Sequence, residues 1–284
     1  MKKKFLILFA LAFTAALIDF SPANSLAVTV KRIIFEGNQR AEVLTIINNS
    51  DQDETFRIGW IHYVMNQSGV LEPVDVEDLP ENVMPAADMV RYSPRRVSVK
   101  ARESQRIRIL LRMPGGLEDG EYRSHLWIRT EPDVERLTRS GDEFRENSNS
   151  KRSVSIEMLP GLTMPIIVRK GNLDATAAIQ NLQVSQSPGF VNINYDLVRE
   201  GGRSIYGDVK YICNSGSPSQ YVIKESRGVG VYTDTNIRRF SIKTERPADK
   251  GACSSLTVDF AENEDSVRRE KRLSIQQTAS VRSL

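Results

Sequence analysis

The sequence predicts an all-β protein of two immunoglobulin-like sandwich domains, and three observations carry that prediction. Short runs of alternating apolar and polar residues recur from Val28 to Phe260, with turn residues such as Gly, Pro, Asn and Ser between them. Such alternation marks a strand with one buried face. No part of that region carries a convincing helical period. The strand pattern also ends at Arg169-Lys170-Gly171 and then restarts, so two sets of strands share 284 residues, enough for two modest cores.

Met1-Lys2-Lys3-Lys4 is a basic leader, and Phe5 to Ile18 is an apolar run stopped by Asp19. That run is shorter than the ~20 residues of a spanning helix. Residues 1–27 therefore read as a cleaved secretory signal, with small residues at Ser25-Leu26-Ala27, in preference to an uncleaved anchor. No later stretch is long and apolar enough to cross a bilayer, so an exported protein is expected. Without residues 1–27 the chain has 36 basic against 35 acidic residues, a net charge of +1. Such a balance gives no global field for nucleic acid.

The expected N-terminal domain is residues 28–170. Val28 to Phe35 reads as its first strand, Ala41 to Ile47 as the second, and Thr55 to Met65, rich in aromatic and β-branched residues, as the third. Residues 66–90 are polar and contain Pro73, Pro80 and Pro85, which predicts a long loop with little regular structure. Arg96 to Val99, Gln105 to Met113 and Glu121 to Thr130 supply further strands. Glu131 to Lys151 is highly charged and reads as a solvated loop.

That loop leads into Ser153 to Gly171. Val154, Ile156 and Met158 alternate with Ser155 and Glu157; Pro160-Gly161 interrupts, and Leu162, Met164, Ile166, Ile167 and Val168 resume. A proline cannot donate to a central ladder, so the strand divides into an edge half and a core half. The residues alone allow an ordinary sandwich strand or one offered to a partner.

The expected second domain is residues 171–262, with strand candidates at Ala178 to Gln186, Phe190 to Arg199, Ser204 to Ile212, Gln220 to Lys224, Gly228 to Tyr232, Ile237 to Lys243 and Leu256 to Phe260. Residues 263–284 are charged and polar and read as a flexible tail. Cys213 and Cys253, an even count in an exported chain, favour one disulfide over two buried free thiols. The only histidines, His62 and His125, lack zinc spacing, and no metal or other cofactor is expected. No Gly-x-Ser-x-Gly elbow and no Walker loop is present, which disfavours a catalytic reading.

In order and spacing the first domain resembles the periplasmic pilus-assembly chaperones of the PapD type. The residues that carry the resemblance are Lys31-Arg32-Ile33-Ile34-Phe35-Glu36-Gly37, Tyr92-Ser93-Pro94 with Gln105-Arg106-Ile107-Arg108, Glu121-Tyr122-Arg123 leading to Ile128-Arg129-Thr130-Glu131-Pro132, and the alternation ending Val168-Arg169. The second domain resembles the family only weakly. The resemblance implies a boomerang of two sandwiches and a non-enzymatic chaperone that lends a strand to pilin-like subunits in the periplasm, with an outer-membrane usher as a further partner. By it, Val154, Ile156, Met158, Leu162 and Met164 are the client-binding donor residues. Arg32 anchors the client's terminal carboxylate, and Glu121 and Arg169 belong to an interdomain charge network. At the place of the family's anchoring lysine this chain has Pro165. Lys31, Lys170 or another nearby cation is left as the substitute. The alternative function is a structural or adhesive fibre subunit; a first strand starting close to the expected cleavage point disfavours it.

Overall fold

The computed structural model describes residues 26–132, 159–264, 266 and 272–283. Every strand lies in one of three sheets, and the only helical segments among the described residues are two 3-10 turns, Val76–Asp78 and Ala87–Met89.

The first domain is a sandwich of two sheets. One contains, side by side, β1 (Leu26–Val28), β3 (Ala41–Asn48), β8 (Ser104–Leu111) and β6 (Val90–Ser93). The other runs β2 (Ile33–Glu36), β10 (Gly161–Lys170), β9 (Gly120–Thr130), β4 (Glu54–Met65) and β5 (Leu71–Val74), with β7 (Arg96–Val99) also on β4. Period 2 decides which residues meet between them. Leu44, Ile46, Ile107 and Ile109 of the first sheet share one core with Phe56, Ile58, Leu126, Ile128, Met164 and Ile166 of the second.

The expected first strand is two strands in two sheets. β1 pairs with β3, while β2 pairs in parallel with β10, so the chain crosses the sandwich between them. Three consecutive buried residues reflect this: Ile33 and Phe35 enter the domain core, and Ile34 packs on the other side with Met65, Ile167 and Tyr232. Leu26 and Ala27, assigned above to the signal, belong to β1, and Leu26 is buried in the core. The expected loop at 66–90 is also more ordered than its prolines suggested. Pro73 fits within β5 because β5 is an edge strand, paired only with β4. Val83, Ala86 and Met89 are buried, and Met84 bridges to Tyr122.

The second domain is one seven-stranded sheet folded on itself. Its strands are β11 (Ala175–Ser187), β12 (Phe190–Gly201), β13 (Ile205–Cys213), β14 (Tyr221–Val231), β15 (Ile237–Glu245), β16 (Ser255–Glu262) and β17 (Ser274–Ser283), in the order β14-β13-β16-β17-β11-β12-β15. The candidates at Gln220 to Lys224 and Gly228 to Tyr232 form the single strand β14; Gly228, at φ 71°, lets the chain continue through a left-handed residue. The expected flexible tail contains β17. It pairs antiparallel with β16 and, over Val281 to Ser283 only, parallel with β11, so the sheet folds over at this seam. Leu273, Ile275, Ala279 and Val281 recur at even spacing and pack on the core of Val191, Ile193, Tyr211, Val258 and Phe260. The charged residues before Leu273 masked that alternation.

Cys213 and Cys253 are bonded, joining the end of β13 to the approach to β16 across a separation of 40 residues. Closing a loop of this size constrains the unfolded chain, and removal of such a bond costs roughly 2–4 kcal/mol. Cys213→Ala/Cys253→Ala is expected to lose stability of that order in denaturant unfolding. Mass spectrometry of the non-reduced protein should show the two peptides linked; two free thiols would contradict the assignment.

Candidate functional site

The site grows from the outer face of the second sheet. On β9 the even-numbered residues Tyr122, Leu126 and Ile128 enter the core, so Glu121, Arg123, His125, Trp127 and Arg129 point the other way. Their neighbours on β10 are Arg169, Ile167, Pro165, Thr163 and Gly161. The second domain covers the lower part of this face, which makes its polar residues interior.

At the base, Arg169 donates from Nε to Glu121 Oε2 at 2.8 Å, from Nη1 to the Ser266 carbonyl at 2.8 Å and from Nη2 to the Ser204 carbonyl at 3.3 Å. The Ser204 amide donates to the same Glu121 oxygen at 3.0 Å. Glu262 of the second domain accepts from the Ser266 hydroxyl at 2.6 Å and pairs with Arg203 at 2.8 Å, reaching Arg169 through Ser266. Burial pushes the Glu121 carboxyl up, but Arg169 and the Ser204 hydrogen bonds outweigh it and leave its pKa below the usual value.

One layer higher, Arg123 forms a forked contact with Asp234, at 2.8 and 3.3 Å, and lies over the Tyr232 ring at 3.9 Å. Asp234 also accepts from the Met65 amide at 2.6 Å. At the tip of the β4–β5 hairpin, the Gln67 carbonyl accepts from the Arg239 amide at 2.6 Å. Three separate ties thus fix the domains together.

Above these lies the layer of Arg32, Pro165 and His125. Arg32 stacks on Tyr206, 3.3 Å from the ring centre, and donates from Nη2 to the Tyr232 hydroxyl at 3.4 Å; its Nη1 is buried without a partner among the described residues. His125 is 1% exposed, with Tyr63 and Tyr232 edge-on to it, and neither ring nitrogen has a partner among the described residues. Burial, then the charges of Arg123, Arg32 and His62, pushes its pKa down to about 3. Lys31 is exposed, and Lys170 is turned to the Leu117 carbonyl and Asp119.

Further up the face opens into a groove of about 350 Å³ lined by Ile61, Tyr63, Trp127, Arg129, Leu162 and Thr163. Gly59 on β4 lets the Trp127 indole lie close: a Cβ there would stand 2.3 Å from the ring. Beside the groove runs the edge of β10. β9 pairs with all of β10, from Gly161 to Lys170, but β2 pairs only with Ile166 to Arg169. Among the described residues nothing pairs with the other side of Gly161 to Pro165. Pro165, without an N–H, stands where the parallel ladder begins.

Of the expected donor residues, Val154, Ile156 and Met158 lie outside the described residues. Met164 is 1% exposed inside the first core, and Leu162, half-buried, packs against the same core and also lines the groove. The sequence reading missed Arg123, His125, Tyr206, Tyr232 and Asp234. The alternation on β9 offered a signal for the first two, since charged and aromatic residues fill the face opposite its apolar one.

No protein-family model and no curated protein matches the chain. Solved structures of pilus chaperones do match it over about nine-tenths of its length. One is the CsuC–CsuE chaperone–tip subunit pre-assembly complex of Acinetobacter baumannii, at 12% identity and TM-score 0.47, covering 91% of this chain and 99% of that one. Another is the E. coli chaperone DraB, at 12% identity and TM-score 0.42, covering 91% and 97%. The Pseudomonas aeruginosa CupB2 chaperone matches at 12% identity and TM-score 0.40, covering 90% and 100%.

Glu121→Gln would leave Arg169 buried beside a neutral group, a loss of roughly 3–5 kcal/mol. The two domains are then expected to unfold in separate thermal transitions. Because the folded pKa of Glu121 is depressed, its contribution is complete above about 4.5 and falls away only as pH drops through the lower folded value. The difference between wild type and Glu121→Gln should therefore hold constant from neutrality to about pH 5 and shrink in stronger acid.

Proposed function

We propose that this chain is a periplasmic chaperone that holds pilin-like fibre subunits by strand addition and delivers them to an outer-membrane usher. The observation that carries the reading is the half-paired strand β10. Its edge is free from Gly161 to Pro165 among the described residues, and β2 occupies it from Ile166 onward. A client strand added there parallel to β10 must stop at Pro165, beside Arg32. Main-chain hydrogen bonds supply affinity in such an addition, and alternate side chains supply specificity.

Val154, Ile156 and Met158, which precede this edge in sequence, are the side chains offered to the client. The groove beside Trp127 takes side chains of the client that lean across the sheet. Arg32 meets the client's terminal carboxylate with the nitrogen that has no partner in the free chain. Capture of this kind needs no nucleotide.

Ile156→Asp tests the donor segment. A charge driven into an apolar client pocket costs several kcal/mol without a partner. The expected result is normal thermal stability of the free protein, with loss of the one-to-one complex recovered from periplasm. Ser155→Asp, on the opposite face, should bind as wild type does. Unfolding of free Ile156→Asp would instead make the segment an ordinary core strand.

Arg32→Ala tests the anchor. A charged hydrogen bond to a partly desolvated carboxylate contributes about 1.5–3 kcal/mol. Affinity for a co-purified client should fall by a corresponding ~10- to 100-fold. Unchanged affinity would remove Arg32 from the anchor.

A further inference from the structure

His125 is an anomaly in this interface. Buried polar atoms almost always have partners, and one left without costs about 1–3 kcal/mol. Here both imidazole nitrogens are buried and unpaired among the described residues, and so is Nη1 of Arg32. The neighbouring Arg123 is satisfied by Asp234 and the Tyr63 carbonyl. Arg32 has no carboxylate partner among the described residues; it touches only Tyr206 and Tyr232.

Register brings the two unsatisfied side chains to one layer. His125 is opposite Pro165 on β10, and Ile33, the residue after Arg32, pairs with Ile166, the residue after Pro165. Both side chains also touch Tyr232. Other ionisable groups around the ring are Arg123 on the same strand, His62 and Tyr63 on β4, and Tyr232 with Asp234 from the second domain, Asp234 being engaged by Arg123. Asp88 lies near His62. β10 contributes Pro165, which is uncharged. The environment is thus rich in cations and short of one anion.

We propose that His125 is the second anchor for the client's terminal carboxylate, and that it binds this anion as an imidazolium, taking up one proton from solvent on capture. The inference rests on the client-capture reading above. Two unpaired donors, Arg32 Nη1 and one imidazole N–H, point to an acceptor with two oxygens. In the free chain burial, and then the charges of Arg123, Arg32 and His62, hold the ring neutral, with a pKa of about 3. A carboxylate beside it opposes them and raises that value. Since the bound form then holds a proton that the free form lacks, capture strengthens as pH falls toward the bound-state pKa and weakens as pH rises above it. His125 fills the role for which the sequence left Lys31 and Lys170 as candidates.

The test uses the full mature chain and an N-acetylated synthetic peptide of alternating valine and threonine, made with a free C-terminal carboxylate and as its C-terminal amide. Wild type should prefer the carboxylate form, and the preference should grow as pH is lowered from about 8 to about 5, where no group of the peptide titrates. His125→Gln should reduce the preference about tenfold and abolish its pH dependence, with binding of the amide unchanged. His125→Lys should keep the preference and make it independent of pH, and His62→Gln should leave the wild-type profile in place. A preference that survives in His125→Gln and does not vary with pH would overturn the role of His125 while leaving strand capture standing. Equal binding of the two peptides by wild type, or binding of neither, would overturn the anchor reading itself and this inference with it. If His125→Gln does not fold, the wild-type pH series alone decides, a flat profile refuting proton uptake.

Discussion

A guanidinium taken out of water costs several kcal/mol unless its donors are met, and Arg169 meets that demand with partners from two domains. Glu121 lies beside it on the neighbouring strand, while Ser204 and Ser266 reach in from the far side. A changed angle between the domains would strand a charge, so the pair fixes an arrangement even where its net contribution to stability is small. Everything above it on the same face inherits that arrangement. Arg123 finds Asp234, and Arg32 lies flat on Tyr206, because the second domain is held at this distance.

The cleft face therefore has a gradient built along β9. Glu121 and Arg123 are ion-paired and sealed, His125 is sealed with neither ring nitrogen bonded among the described residues, and Trp127 and Arg129 border an open groove. Ion pairs are concentrated at the base and unmet donors at the middle. Among the described residues β10 follows the same division: its C-terminal half is covered on both edges, and its N-terminal half on one. A proline at the boundary serves this division, since it ends one ladder without leaving an amide orphaned.

Alternation made most strands legible, because Ile107, Ile109, Leu126 and Ile128 obey the simple rule of one buried face. It failed where burial had a second cause. Ile34 and Ile167 are apolar because another domain covers them, which broke the alternation of β2 and β10. β17 was hidden for the opposite reason: its apolar residues are spaced correctly but only partly buried and outnumbered by polar ones, and a charged stretch precedes them. The base pair Glu121 and Arg169 was visible only through the family resemblance. Asp234 and Tyr232 had no local signature, since what makes them part of the site is a contact across more than a hundred positions, as between Arg123 and Asp234.

The position of β17 bears on how this protein tolerates handling at its C-terminal side. The strand is the seam between β16 and β11, two elements that enter the sheet from distant parts of the chain. Clipping residues after Leu273 would remove no loose end. It would part the sheet at its fold and uncover two ladders at once, with Val258, Phe260 and Val184 behind them. Bare ladders of that kind recruit other chains. Residues 274–283 thus act as a zip fastener's slider, and a protease or an ill-placed affinity tag acting on them would favour self-association.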